Sequence, residues 1–371
     1  MIRFPEKMRR TLEKLVNQLK CKADVYGVGL YGSWSRGDAT TSSDVDLFIL
    51  SKSDLDYEYI ERLATGGLLV DLNFVPRKWF HGPIPPEIDQ KLYEMQILYD
   101  RDWLLTNTKL TMAKSYSSPE RVEIRTEALL LNSDIYLSRA TSAFSREDYH
   151  SAYVFAVMAL ENTLGILAEI AMEPFSNSHF IERNERATTM LQMPFLFNKY
   201  LEISKSNEID DSRIRDNLGL FKTLWEEIGD KTKDSLQKLT SPHLRVKAKL
   251  DYYLNPAFLQ GALMRTSSLI DSKMAIEASH YLSSIFLDMA ENYVWLESLV
   301  GSFKLDYTTL MRSLKILEEK DPRNYGRMLC FLNLDNVERT EADDAINKTR
   351  EIALRIRKDR KVLIKNHLTK N

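Results

Sequence analysis

Asp44 and Asp46 stand two residues apart in "DVDLFIL" (44–50), a run otherwise apolar and β-branched. Side chains alternate faces along a strand, so the two acids emerge on one side while Val45 and Leu47 point into a core. Carboxylates this close repel unless protonated or neutralised by a cation. Hard oxygen ligands with room for water suit Mg²⁺ or Mn²⁺ rather than zinc. A third acid, Asp71, interrupts the apolar "LLVDLNFV" (68–75). If that strand pairs beside the first, three carboxylates meet, enough to hold two metal ions across an in-line phosphoryl displacement. Just upstream, "GVGLY" ends at Gly32-Ser33. Gly32 lets backbone approach an oxyanion, and Ser33 adds a hydroxyl and an N–H at the start of a short helix. Arg36, one turn on, is either a guanidinium fork for phosphate oxygens or a surface charge paired with Asp38.

The elements that must carry these residues follow from periodicity. Met8, Leu12, Leu15, Val16 and Leu19 have near-helical spacing. A strand then runs through "DVYGVGLYGS", and a second is "DVDLFIL". "SDLDYEYIERLAT" opens on Ser53, a cap residue followed by acids, and its pattern predicts a helix over 53–65. "LLVDLNFV" is the third strand, the Pro-rich "HGPIPPEI" a loop, and "EMQILYD" (94–100) a shorter fourth strand. From about Pro119 onward the spacing is helical, broken at "MEPFSNSH", "MLQMPF", "TSPH", "LNPA" and "KDPRN". The expectation is an α+β domain over 1–110, with a mixed twisted sheet flanked by helices. An all-α domain over 111–371 follows, one bundle or two with a break near 240–257.

"LYGSWSRGDATTSSDVDLFIL" followed by "VDLNFV" resembles the DNA polymerase β-type nucleotidyltransferase superfamily, and most closely its minimal nucleotidyltransferase branch. Over residues 20–105 each position of the core pattern is present. The resemblance implies Mg²⁺ or Mn²⁺ and transfer of a nucleoside monophosphate from an NTP to a hydroxyl acceptor, with pyrophosphate released. It implies that Asp44, Asp46 and Asp71 bind metal, that Asp71 also takes the acceptor proton, and that Gly32 and Ser33 hold the β,γ-phosphates. "EDYHSAYVFAVMALENTLGILAEI" looks somewhat like HEPN-type helical domains. Their ribonuclease members carry an Arg, about four to six residues, then a His, a spacing matched here by Arg360 and His367 on the tail helix, but nothing marks that tail as a nuclease site.

Composition narrows the partners. The formal net charge is −2, and neither the first 110 residues nor the remainder is basic, which weighs against a long nucleic acid. A small-molecule or protein hydroxyl is therefore the favoured acceptor, ahead of RNA or tRNA. A non-catalytic, antitoxin-like nucleotide-binding protein is the third reading. Two cysteines, Cys21 and Cys330, suggest a reducing, cytoplasmic setting, and the N-terminus lacks a signal-peptide pattern. "SAYVFAVMALENTLGILAEIAM" (151–172) has the length of a membrane span, but Glu161, Asn162 and Glu169 mark it as a buried core helix. No membrane partner is expected, and a homo-oligomer is left open. Glu161 is either a satisfied buried acid or a base contributed by the helical domain. Asn73 reads as a core amide or a nucleotide contact, and Arg77 and Lys78 as solvated loop residues. His81 and His150 read as structural or surface residues, and the basic tail as a solvated helical face.

Overall fold

Between Val25 and Pro76 four β-rich runs cross one sheet. In the computed structural model, which describes residues 5–52, 56–239, 243–301, 306, 308–318 and 322–368, these are β1 (Val25–Tyr31), β2 (Val45–Ser51), β3 (Tyr59–Thr65) and β4 (Leu68–Pro76). β5 (Gln96–Asp100) completes a five-stranded sheet of order β3-β4-β2-β1-β5, in which β2 and β4 run parallel and the other pairs antiparallel. The mixed sheet expected from the sequence is present.

Helix α1 (Glu6–Lys20) lays Met8, Leu12, Val16 and Leu19 against one face of this sheet. There they meet Val28 and Leu30 of β1, Val45, Leu47 and Ile49 of β2, and Val70, Leu72 and Phe74 of β4. The opposite face carries the alternate residues, Asp46 and Phe48 on β2 and Asp71 and Asn73 on β4. One face is thus sealed by apolar burial and the other is left for polar chemistry. Short helices α2 (Gly32–Arg36), α3 (Asp89–Glu94) and α4 (Leu104–Ser115) complete the N-terminal part.

The helix expected over 53–65 is not there. Tyr59–Thr65 is strand β3, and Ser53 lies outside the described residues. Thr65 pairs directly with Leu68 across Gly66 and Gly67, whose φ angles are 59° and 83°. That is the two-residue turn with both central residues left-handed that glycine favours and that matches the twist of a hairpin. The Gly-Gly turn and the sheet edge on β4 override the local helical spacing.

The remaining helices are α5 (Pro119–Ser145), α6 (Tyr149–Ile170), α7 (Phe180–Met190), α8 (Pro194–Ile203), α9 (Asp211–Lys238), α10 (Leu244–Tyr253), α11 (Pro256–Asp271), α12 (Ala275–Val300), α13 (Leu310–Leu317), α14 (Pro322–Phe331) and α15 (Arg339–Leu368). The chain divides into two compact units, one of Met1–Tyr116 with His243–Ser268, the other of Ser117–Pro242 with Leu269–Asn371. Residues 243–268, helical as the sequence predicts, therefore pack with the sheet.

In the second unit α6 is the core helix. It is the one described helix long and apolar enough to cross a membrane, yet 67% of its apolar window is buried inside the protein. Ser118 and Asp148 cap α5 and α6 by accepting from the backbone N–H of Arg121 and Ser151. The basic tail of α15 is less a solvated face than one side of a seam with α5. Arg357 pairs with Asp134, Arg360 with Glu127, and Lys361 with Glu123 at 2.7 Å. Arg360 is itself buried beneath Thr126, which makes it a packing residue.

Candidate active site

Asp46 and Asp71 are register partners on the adjacent parallel strands β2 and β4, so their side chains leave the sheet side by side. Asp44, one residue before β2 begins, joins them through a shared partner. Arg62 of β3 lies directly across from Asp71. Its Nε and Nη2 each donate to one Asp71 oxygen at 2.6 Å, and Nη2 also reaches Asp44 Oδ2. The geometry brings together all three acids that stand out in the sequence, together with Arg62, which the local spacing predicts on a helix and the structure has on a strand.

Gly32 explains why the Gly-Ser turn abuts this cluster. Its φ is +73°, and a Cβ built on it would stand 2.2 Å from Asp46 Oδ2. Only glycine permits both the backbone conformation and the close approach. Around this turn the contacts differ from a bare anion cradle. The N–H of Gly32 donates to Glu94 Oε1 at 2.7 Å, and Arg36 Nη1 donates to Glu94 Oε2 at 2.8 Å. Arg36 Nε also meets Asp38 at 3.2 Å. Arg36 is thus anchored by two acids, the mostly buried Glu94 as well as the Asp38 foreseen from the sequence, and Ser33 follows Gly32 on the first turn of α2.

Residues 243–268 supply the other wall. Tyr252 OH donates to Asp71 Oδ2 at 3.1 Å, and Asn255 Nδ2 donates to the carbonyl of Arg62 at 2.8 Å. The Arg62 guanidinium lies 5.4 Å from the ring centre of Tyr252 and 5.3 Å from that of Phe258, within cation–π range. From α11, Arg265 Nη2 donates to Asp44 Oδ1. Gly261 lets α11 come this close, because a Cβ there would sit 2.8 Å from Arg62 Nη1.

The electrostatics separate the three acids. Burial works against the charge on Asp44, but Arg265 and Arg62 outweigh it and hold its carboxyl below the usual range. Asp46 goes the other way, pushed well up by burial and then by the neighbouring Asp44 and Asp71. Among the described residues no hydrogen bond or ion pair reaches the Asp46 carboxylate. Burial also opposes the charge of Arg62, but Asp71 and Asp44 beside it raise its pKa. Next to this cluster Asn73 is fully buried, its Nδ2 donating to Glu58 at 3.2 Å and to Tyr31 OH at 3.4 Å, the core-amide arrangement. Among the described residues no hydrogen-bond partner reaches its buried Oδ1.

A hard divalent cation suits the chemistry of this donor set. Three carboxylates face two guanidiniums, which leaves a carboxylate, Asp46, lacking a cationic partner. The oxygens of Asp44 and Asp71 are engaged by arginine, and among the described residues no three acidic or other ligating side chains stand as a ready metal cluster.

The remaining candidates fall into structural roles. Arg77 pairs with Asp102 at 2.5 Å and lies 4.4 Å from the Tyr26 ring centre, so it is a packing residue. Lys78 pairs with Asp56 in solvent, and His81 is exposed. His150 Nδ1 lies 3.2 Å from Tyr325 OH. Glu161 is held by Tyr200 OH at 3.3 Å and His280 Nε2 at 3.2 Å, the pattern of a satisfied acid.

Residues 12–101 match the family model described as "Nucleotidyltransferase domain". This part of the chain is a nucleotidyltransferase domain, with the sheet and the acid-bearing strands described above. Among known proteins the chain is similar to one from Methanocaldococcus jannaschii named "Putative protein adenylyltransferase MJ0604", with 37% identity over 62 residues. That match covers 16% of this chain and 60% of the relative's length. Among solved structures, the crystal structure of a nucleotidyltransferase-like protein from Exiguobacterium sibiricum 255-15 aligns over 88% of this chain and 91% of its own, with 13% identity and a TM-score of 0.34.

Proposed function

We propose that the protein transfers a nucleoside monophosphate from an NTP to a hydroxyl of a protein or small molecule, releasing pyrophosphate, in a Mg²⁺- or Mn²⁺-dependent reaction. The observation that carries this reading is the register pairing of Asp46 with Asp71, with Asp44 joined through Arg62, all beside the Gly32–Ser33 turn. In this reading Asp44, Asp46 and Asp71 would hold the divalent ions. When bound, such ions supply charge neutralisation and Lewis acidity at the phosphates. The remaining work falls to the chain itself. In this reading Gly32 and Ser33 would hold the β,γ-phosphates, and Arg36 would meet them one turn away, Gly32 and Arg36 exchanging their present contacts with Glu94 for the nucleotide. Asp71 would accept the proton of the attacking hydroxyl, a role supported by its hydrogen bond from Tyr252 and its position on β4. A protein acceptor is favoured by the net charge of −2, which gives no basic excess for RNA, and by the name of the M. jannaschii relative.

Incubating the protein with α-labelled NTPs, Mg²⁺ or Mn²⁺, and protein or small-molecule pools tests this. Label transfer and pyrophosphate release are expected, falling at least about 10³-fold in an Asp44→Ala, Asp46→Ala double variant, a loss in the range of one catalytic electrostatic contact or more. One specific observation favours a second reading, a nucleotide-binding module without transfer: guanidiniums already occupy two of the three carboxylates. Nucleotide binding with no labelled product in any pool, RNA included, would select it.

A further inference from the structure

The acid cluster is bridged by two arginines that differ in kind. Arg62 is fixed. It sits on a central register position of β3, its side chain is 3% exposed, it donates to both Asp71 oxygens, and two aromatic rings cover it. Arg265 is 221 residues away in sequence from the acid it touches and projects from helix α11. Its side chain is 18% exposed, and its Nη2 meets Asp44 Oδ1, the oxygen that Arg62 does not take.

We propose that Arg265 is an exchange residue: it neutralises Asp44 while the site holds no metal, and moves to the triphosphate when the metal–nucleotide complex arrives. This rests on the transfer reading above and adds a residue from α11, outside the motif-bearing strands. Charge matching carries it. A buried acid needs a cation, and a guanidinium or a metal ion can serve, each competing with the other for the same carboxylate. An incoming Mg²⁺–NTP brings both a dication for Asp44 and surplus negative charge on its phosphates. Displacing Arg265 from the first and pairing it with the second gives Asp44 the dication and the phosphates a guanidinium. A guanidinium meets phosphate oxygens in the same bidentate fork with which it meets a carboxylate, so the swap exchanges one charge-assisted contact for another. Arg62, far less exposed, is not assigned this exchange.

The exchange predicts effects of opposite sign from one substitution. With the full chain, Mn²⁺ alone is titrated by electron paramagnetic resonance, and a Mg²⁺-loaded, α,β-non-hydrolysable ATP analogue by calorimetry. In Arg265→Gln, Mn²⁺ alone is expected to bind about tenfold tighter, because its competitor is gone, while the analogue binds about tenfold weaker, because a phosphate partner is gone. Arg265→Lys keeps the charge but not the fork and should show the same signs at smaller size, which keeps the test available if the Gln variant folds poorly. Both affinities falling together, or neither moving, would overturn the exchange while leaving NMP transfer intact. A wild-type protein that takes up neither Mn²⁺ nor the analogue would remove the transfer reading and the exchange with it.

Discussion

Acids and bases are paired in two quite different ways in this chain. On the open face of the sheet, Asp44, Asp71 and Arg62 have side chains only 10%, 7% and 3% exposed. Along the α5–α15 seam, Arg357 and Asp134 are 44% and 46% exposed, and Lys361 and Glu123 72% and 42%. Desolvating a charge costs several kcal/mol and is recovered only by close, hydrogen-bonded partners, whereas an exposed pair is screened and contributes about 1 kcal/mol or less. A fold that needs only stability has no reason to gather three carboxylates on one buried patch. The sheet face tolerates that repulsion, and the helical seam avoids it. That difference supports the proposal that the first region is the site and the second packing.

The comparison is sharpest at Arg62. Replacing it with Met removes the counter-charge from Asp71 and Asp44 in a buried setting, and a loss of about 3–5 kcal/mol in urea unfolding is expected. Adding Asp71→Asn to that variant should recover part of the loss, since the orphaned charge disappears. A loss under 1 kcal/mol would place the sheet face in the same class as the seam. Arg357→Ala on α15 should cost at most about 1 kcal/mol, and less in high salt, because its pair with Asp134 is exposed.

The smallest expected effect is a pH dependence in the helical unit. Burial holds His150 below its usual value, with Lys315 acting in the same direction and Asp148 and Asp335 opposing. The unfolded chain therefore binds a proton that the folded state refuses between the lowered value and 6.5. Stability contributed by neutral His150 is present above 6.5 and is lost as pH falls through that window. Given partial exposure the change should stay under about 1 kcal/mol. Thermal melts at pH 7.0 and 5.5 should show a smaller difference in His150→Gln than in the wild type, and an equal one would remove His150 from the account.

Some of this was written locally and some was not. The three acids and the Gly-Ser turn were legible because alternation along a strand fixes which face a side chain takes, and an acid in an apolar run stands out against its neighbours. The role of Arg62 was legible in principle. It stands four residues before Gly66 and Asp71 four after Gly67, so a Gly-Gly hairpin sets them opposite one another. The helical spacing of "YEYIERLAT" concealed that turn, because short apolar runs fit either period and the choice is made by the sheet edge that accepts the strand.

Local pattern was enough for the strand-borne acids, the Gly-Ser turn, the amphipathic α1 and the run of helices later in the chain. Long-range packing alone returns residues 243–268 to the sheet, bringing Tyr252 and Arg265 to Asp71 and Asp44. What separates the two is range. Periodicity and turn chemistry act over a few residues and leave their trace in composition, while a contact between a helix and a strand some two hundred residues apart depends on how whole faces pack, and no local pattern records it.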